Sequence, residues 1–379
     1  MSTEPIYLDY NATTPVLPEV VDAMLPALRV HFGNPSSGHL FGTRAKALVE
    51  RARAEVAQLI GARDDEVFFT SGGTEANNLA IFGSSERAAH RRHVVTTCIE
   101  HPATEQPCQR LERNGRRVTR LPVGPRGAVD LGAADAIDDD TFLVTVMHSN
   151  NETGVLQPVP ELAARAHDRG ALVHTDAAQS LGKVPVDVDE LGVDLLSIAG
   201  HKLYAPKGVG ALFVRRGAAI APVLLGAGHE RGLRPGTENV ASIVGLGAAC
   251  RAARRDLARV APELRRLRGR LLEGLTLAVA GLEVNGDPEH ALPNTLNVRF
   301  PGVLGSRLLE LAPEIAASTG SACHDGGESA SRVILALGVG PEAALGSVRL
   351  SLGRHSTDAD VTLATQALAR AHAELTRGR

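Results

Sequence analysis

The chain of 379 residues carries almost no net charge, 40 Lys+Arg against 43 Asp+Glu leaving −3. That balance is too near neutral for a dedicated nucleic-acid binder and offers no basic arm to a membrane surface. No lysine or arginine precedes Arg29, whereas a secretory signal needs a basic start and a mitochondrial presequence is Arg-rich; the expected location is the cytoplasm. Long apolar runs are missing too. The longest, around residues 218–227, is about half a membrane span and is interrupted by Pro222, so no membrane role is expected. Cysteine is scarce: Cys98, Cys108, Cys250 and Cys323 form no CxxC pair, which argues against a disulfide framework and a structural zinc site. By default each is a small buried apolar residue. The 14 histidines show no HExxH or paired-ligand spacing, so a metal hydrolase is disfavoured and no metal is expected.

What is present is ample apolar material, 44% of residues, with 22% charged. This excludes a disordered chain, and the length exceeds what one core usually supports, so two domains are expected. Lysine is rare among the basic residues: only Lys46, Lys183, Lys202 and Lys207. A surviving lysine is therefore a better than average candidate for chemistry that guanidinium cannot perform, such as nucleophilic attack by a neutral amine.

Helical and strand periodicities alternate from about residue 45 to 250. Residues 42–60, 74–84, 104–114 and 159–169 read as helices; 66–70, 93–97, 142–147, 171–175, 194–199 and 210–214 read as short apolar strands. Such alternation indicates an α/β fold with a mostly parallel sheet covered on both faces, whose reactive groups gather at the strands' carboxyl ends. A helical stretch at about 241–280, which Pro262 is expected to break, leads into a smaller α+β domain. That domain has strands at 294–300 and 347–352, a helix near 306–311, a Gly/Ser-rich loop at 318–329 and a final helix. The expected division is 13–255 for the large domain, with 1–12 and 256–379 forming the small one.

Three segments invite a chemical reading. Ser71-Gly72-Gly73-Thr74-Glu75 follows a strand and opens a helix, either a plain turn or an anion site built from helix N-terminal N–H groups. In ALVHTDAAQ (171–179) an apolar strand runs into Asp176, either a helix cap or a buried carboxylate meeting a cationic ring nitrogen. In LSIAGHKLYAPKGVG (196–210) Lys202 sits between two apolar strands, where burial would lower its pKa and free its amine to form a Schiff base; Lys183 and Lys207 read better as lysines reaching the surface. A phosphate turn, then an acid, then an amine, all at strand ends, describes a pyridoxal 5'-phosphate site.

Taken with YLDYNATTP (7–15), GNPSSGH (33–39), TSGGTEANNLAI (70–81), EHPA (100–103), NNETG (150–154), GHKLYAPKG (200–208), RPGTENV (234–240), STGSAC (318–323) and RLSLGR (349–354), the chain resembles cysteine desulfurases, of the class V aminotransferase group of fold-type-I pyridoxal-phosphate transferases. The resemblance implies that Lys202 holds the cofactor aldehyde, Asp176 pairs with the pyridine nitrogen and His101 stacks on the ring and relays protons. It implies that Asn151 and Gln179 bond the ring oxygen, that Gly73, Thr74 and His201 bind the phosphate, and that Thr237 reaches the phosphate of a neighbouring subunit in a homodimer. Arg349 would hold the substrate carboxylate, with Asn11 and Asn34 near the substrate. Cys323, in STGSAC followed by the polar, glycine-rich HDGGES, corresponds to the nucleophile of the longer-loop branch. As a persulfide it would carry sulfur taken from L-cysteine, leaving L-alanine, to an acceptor such as an iron–sulfur scaffold or a tRNA-thiolating enzyme. One position departs from the pattern: Ala199 stands where many relatives have Ser, removing one phosphate contact, for which Ser197 is a conceivable substitute. Rival readings are a sibling aminotransferase or lyase, which would not need Cys323, and a non-catalytic scaffold, which would not need Lys202, Asp176, His101 and Arg349.

Overall fold

The computed structural model describes residues 4–88, 90–319 and 329–377. Among these the strands are β1 (Ile6–Tyr7), β2 (Val67–Thr70), β3 (His93–Thr97), β4 (Arg117–Leu121), β5 (Thr141–Thr145), β6 (Leu172–Asp176), β7 (Leu195–Ala199), β8 (Gly210–Val214), β9 (Glu283–Val284), β10 (Thr295–Arg299), β11 (Ile315–Ala316) and β12 (Ser347–Ser351). The helices are α1 (Pro18–Arg29), α2 (Leu40–Ile60), α3 (Gly73–Arg87), α4 (Pro102–Arg113), α5 (Val159–Asp168), α6 (Val188–Leu191), α7 (Val240–Ala278), α8 (Gly305–Glu310), α9 (Arg332–Ala336), α10 (Pro341–Ala344) and α11 (Asp358–Thr376).

Seven strands form the central sheet in the order β2-β8-β7-β6-β5-β3-β4. All its pairings are parallel except those of β8, which is antiparallel to both β2 and β7. Consecutive residues of one strand feed opposite layers, as a period of two dictates. Val95, Val144, Leu196 and Phe213 join a core with α2, α5 and the first half of α7. Their neighbours Val94, Leu143, Leu195 and Leu212 pack against α3 and α4. Both faces are therefore buried, which is why these strands read as continuous apolar runs. A separate cluster joins Leu8, the second half of α7, β10, β12 and α11.

One sequence expectation is corrected. Helix α7 runs unbroken through Pro262. Pro262 and Ala258, whose carbonyl the proline leaves without a helical donor, both lie on the exposed side, where water replaces the lost bond. The expected boundary at 255/256 thus falls inside one helix that serves both cores. Strand β4, in which Arg117 and Arg120 interrupt the apolar pattern, was not anticipated; it is an edge strand paired only with β3, where charged side chains are tolerated.

Candidate active site

The carboxyl ends of β2, β3, β5, β6 and β7 surround a cavity of about 310 Å³, within the range of about 300–1,000 Å³ typical of small-ligand pockets. Its floor comes from the sheet. Asp176 is the last residue of β6; its carboxylate accepts from the Asn77 amide at 2.7 Å and the Ala178 backbone N–H at 2.9 Å. Asn77 lies on the buried side of α3, a polar residue among apolar ones. A polar side chain on an otherwise apolar stretch of helix is a sequence signal of such a role.

Lys202 ends the short 3-10 turn Gly200–Lys202 that follows β7. Its ammonium donates to the carbonyls of Asn11 at 2.5 Å and Ala12 at 2.7 Å. Burial, then the charge of Arg349, lowers its pKa to about 8 against the opposing pull of Asp176 and Asp9. Lys202 and Asp176 face the same cavity.

The N-terminus of α3 forms one wall. Gly72 caps it at φ 152°, a backbone region that side chains rarely adopt. Gly210 on β8 lets this turn settle on the sheet, since a Cβ there would lie 2.7 Å from the Gly72 Cα. The first-turn N–H groups with Gly73 and Thr74 make an anion cradle. Glu75, an acid at an anion site, is neutralised: its carboxylate accepts from Arg234 at 2.8 Å and from the Ser71 N–H at 2.8 Å. Burial alone would raise its pKa, but these partners bring it below the ordinary value. His201 borders the cradle, its Nδ1 paired with the Thr13 hydroxyl at 3.2 Å; burial, then Lys202 and Lys207, lowers its pKa to about 4. It is a neutral hydrogen-bonding group.

Ala199 faces this cradle directly, its Cβ 3.1 Å from where a Cβ on Gly73 would sit. Ser197 is no substitute, because its hydroxyl is buried against the His174 Nε2 at 2.9 Å. Ala199→Ser is expected to tighten phosphate-bearing ligands by roughly twofold to tenfold, one added neutral hydrogen bond. Titrating apoprotein with pyridoxal phosphate checks this, and unchanged affinity would contradict it.

His101 caps α4, its Nδ1 accepting from the Ala103 N–H at 3.1 Å. An accepting Nδ1 places the ring proton on Nε2. Burial lowers its pKa, Asp176 raises it and Lys202 lowers it again. Its neighbour Glu100, fully buried, was not singled out by the sequence; its pKa is pushed up to about 8 by burial, so it is largely neutral at physiological pH.

Arg349, on β12, comes from the second cluster's sheet. Its guanidinium donates to the Asn151 carbonyl at 3.0 Å and to Asp9 at 2.7 Å, while its Nε is buried without a partner among the described residues. Asp9 is a further residue that sequence reasoning passed over. Asn11 lines the cavity, but its amide is spent on Thr295, Asn151 and Asn294; what it offers is its carbonyl. Gln179 and Asn151 also line the cavity. The structure does not bring Asn34 there: it is exposed, and its side chain closes a turn onto the Ser36 N–H. Thr237 is exposed and likewise outside this cavity. Cys323 lies outside the described residues. Lys183, expected at the surface, is only 6% exposed; it follows Gly182, where an added Cβ would meet Leu203 and Ala253, and its amine turns to Gln179.

An amine, a paired carboxylate, an uncharged imidazole, an anion cradle and a guanidinium Nε left unpaired by the described residues are the donor set that pyridoxal phosphate and an amino-acid carboxylate require. The aminotransferase class-V family model matches residues 6–363, and the chain belongs to that family, whose enzymes are pyridoxal-phosphate-dependent. Among its relatives, cysteine desulfurase 2 of Trichormus variabilis is 45% identical over 94% of this chain and 90% of that protein. Cysteine desulfurase IscS of Dictyoglomus turgidum is 43% identical over 96% of this chain and 94% of its own length. A NifS-like protein of known structure superposes with a TM-score of 0.91 at 36% identity, covering 97% of this chain and 98% of that one. The fold is therefore that of the fold-type-I transferases.

Proposed function

We infer that this chain is a pyridoxal-phosphate-dependent cysteine desulfurase, taking sulfur from L-cysteine and releasing L-alanine. The observation that carries the reading is the convergence of Lys202, Asp176, His101 and Arg349 on one cavity at the strand ends. When bound, pyridoxal phosphate supplies an electron sink that makes the Cα proton of an attached amino acid removable. Lys202 would hold its aldehyde and later take that proton. Asp176 would keep a proton on the ring nitrogen, and Asn151 and Gln179 would bond the ring oxygen. The α3 N-terminus with Gly73, Thr74 and His201 would hold the phosphate, and Arg349 the substrate carboxylate. His101, with Nε2–H available, would serve the proton traffic.

The thiolate of Cys323 would attack the substrate Sγ. The S–S bond forms as the Cβ–S bond breaks, its electron pair stays with the organic fragment, and a proton completes L-alanine. Two anchors support this assignment. Ahead of the segment, the Arg349 backbone N–H donates to the Ser318 carbonyl at 2.7 Å. Beyond it, the Ser331 hydroxyl donates to Glu152 at 2.5 Å, next to Asn151. Ser318 is thus bonded to Arg349, which lines the cavity, and Ser331 to Glu152, the neighbour of cavity-lining Asn151.

The persulfide sulfur would pass to an acceptor protein, an iron–sulfur scaffold or a tRNA-thiolating enzyme, in the cytoplasm. A homodimer would give Thr237 a phosphate to meet. The exposed Phe32, Phe41 and Leu225, the last 89% exposed, are apolar surface of the kind such an assembly covers. The test is purified protein with L-cysteine and a reductant: sulfide and alanine appear in equal amounts. Alanine without sulfide would contradict the reading.

A further inference from the structure

Lys183 is a buried amine with no part in the chemistry above. Its ammonium makes one hydrogen bond among the described residues, to the Gln179 Oε1 at 3.1 Å. Burial, then Lys202 and Arg349, lowers its pKa to about 7. It does not line the cavity. A sparsely bonded amine in such a place destabilises the fold, and an apolar side chain of similar length would be better tolerated there.

The geometry shows what the amine does. An amide side chain can present either its oxygen or its nitrogen to a given neighbour; a lysine amine has hydrogens to donate in both protonation states, and as an ammonium it is a donor only. Lys183 therefore holds Gln179 with Oε1 turned inward. The amide NH2 must then face the cavity side, where Nε2 donates to the Asn11 carbonyl at 2.9 Å. That same carbonyl receives the Lys202 ammonium. With Lys183 in place the amide is fixed at both ends; without it, only the Asn11 carbonyl, which it shares with Lys202, still favours the NH2 on that side.

We propose that Lys183 is a positioning residue that locks the orientation of the Gln179 amide, so that an N–H and not a carbonyl oxygen meets the cofactor's ring oxygen. This rests on the reading of the cavity as a pyridoxal-phosphate site. The test is a double-mutant cycle on the full chain with Lys183→Met and Gln179→Ala, read by pyridoxal-phosphate affinity of the apoprotein, by the absorption maximum of the bound cofactor and by the apoprotein melting temperature. Lys183→Met is expected to weaken binding by about tenfold, one hydrogen bond to a charged oxygen, and to shift the absorption maximum, while the melting temperature holds or rises. In the Gln179→Ala background the same change should do neither, because its effect runs through the amide. Equal losses in both backgrounds would overturn the proposal, as would a Lys183→Met protein with native affinity and spectrum. If Lys183→Met lowers the melting temperature, Lys183→Gln, which keeps a donor, must restore the native spectrum; failure there also overturns it. Wild-type protein that binds no pyridoxal phosphate would instead refute the functional reading.

Discussion

Lys202→Ala should remove the absorption of covalently held cofactor and slow sulfide release by at least about a thousandfold, the combined loss of a covalent anchor and a general base. The amine is placed for both tasks. It stands at the end of β7, gripped by the Asn11 and Ala12 carbonyls, which orient it before any ligand arrives. Burial holds its pKa to about 8, so a useful fraction is neutral near physiological pH. The other buried amine cannot take over, since Lys183 points at Gln179 from outside the cavity. Absorption spectra of the purified variant with pyridoxal phosphate decide the matter, and a persisting covalent band would assign the cofactor to a different lysine.

Cys323→Ala should keep the visible absorption of the wild type and lose sulfide release to background. The other three thiols offer no replacement. Cys108 is pushed up to about 12 by burial, and Cys250 and Cys98 are raised by burial as well, so none supplies thiolate at neutral pH. None lines the cavity either. Sulfide and alanine assays on the variant are the check; sulfide at the normal rate would show that Cys323 is not the nucleophile.

Much of the cavity could be read in advance because parallel strands end together. A residue just past an apolar run, such as Asp176 or Lys202, is committed to that edge by topology alone. The partners that tune these groups could not be read, since they come from afar. Asp9 reaches Arg349 across 340 positions and Asn77 reaches Asp176 across 99, and no local pattern records such distances. Lys183 misled for the opposite reason. A lysine in a turn ordinarily reaches water, but this one follows a glycine packed close to Leu203 and Ala253 and turns its amine inward to Gln179. Pro262 shows a third limit: whether a proline ends a helix depends on which side its orphaned carbonyl faces.

The passage of α7 through both apolar clusters bears on how the molecule can be taken apart. Its first turns, around Ile243 and Leu246, complete one cluster, and its later turns, from Val260 to Leu275, complete the other. A cut near residue 255 would leave each fragment with half a rod and a bare greasy stripe, so neither piece should survive as a well-behaved product, and heating should melt the intact molecule in one step.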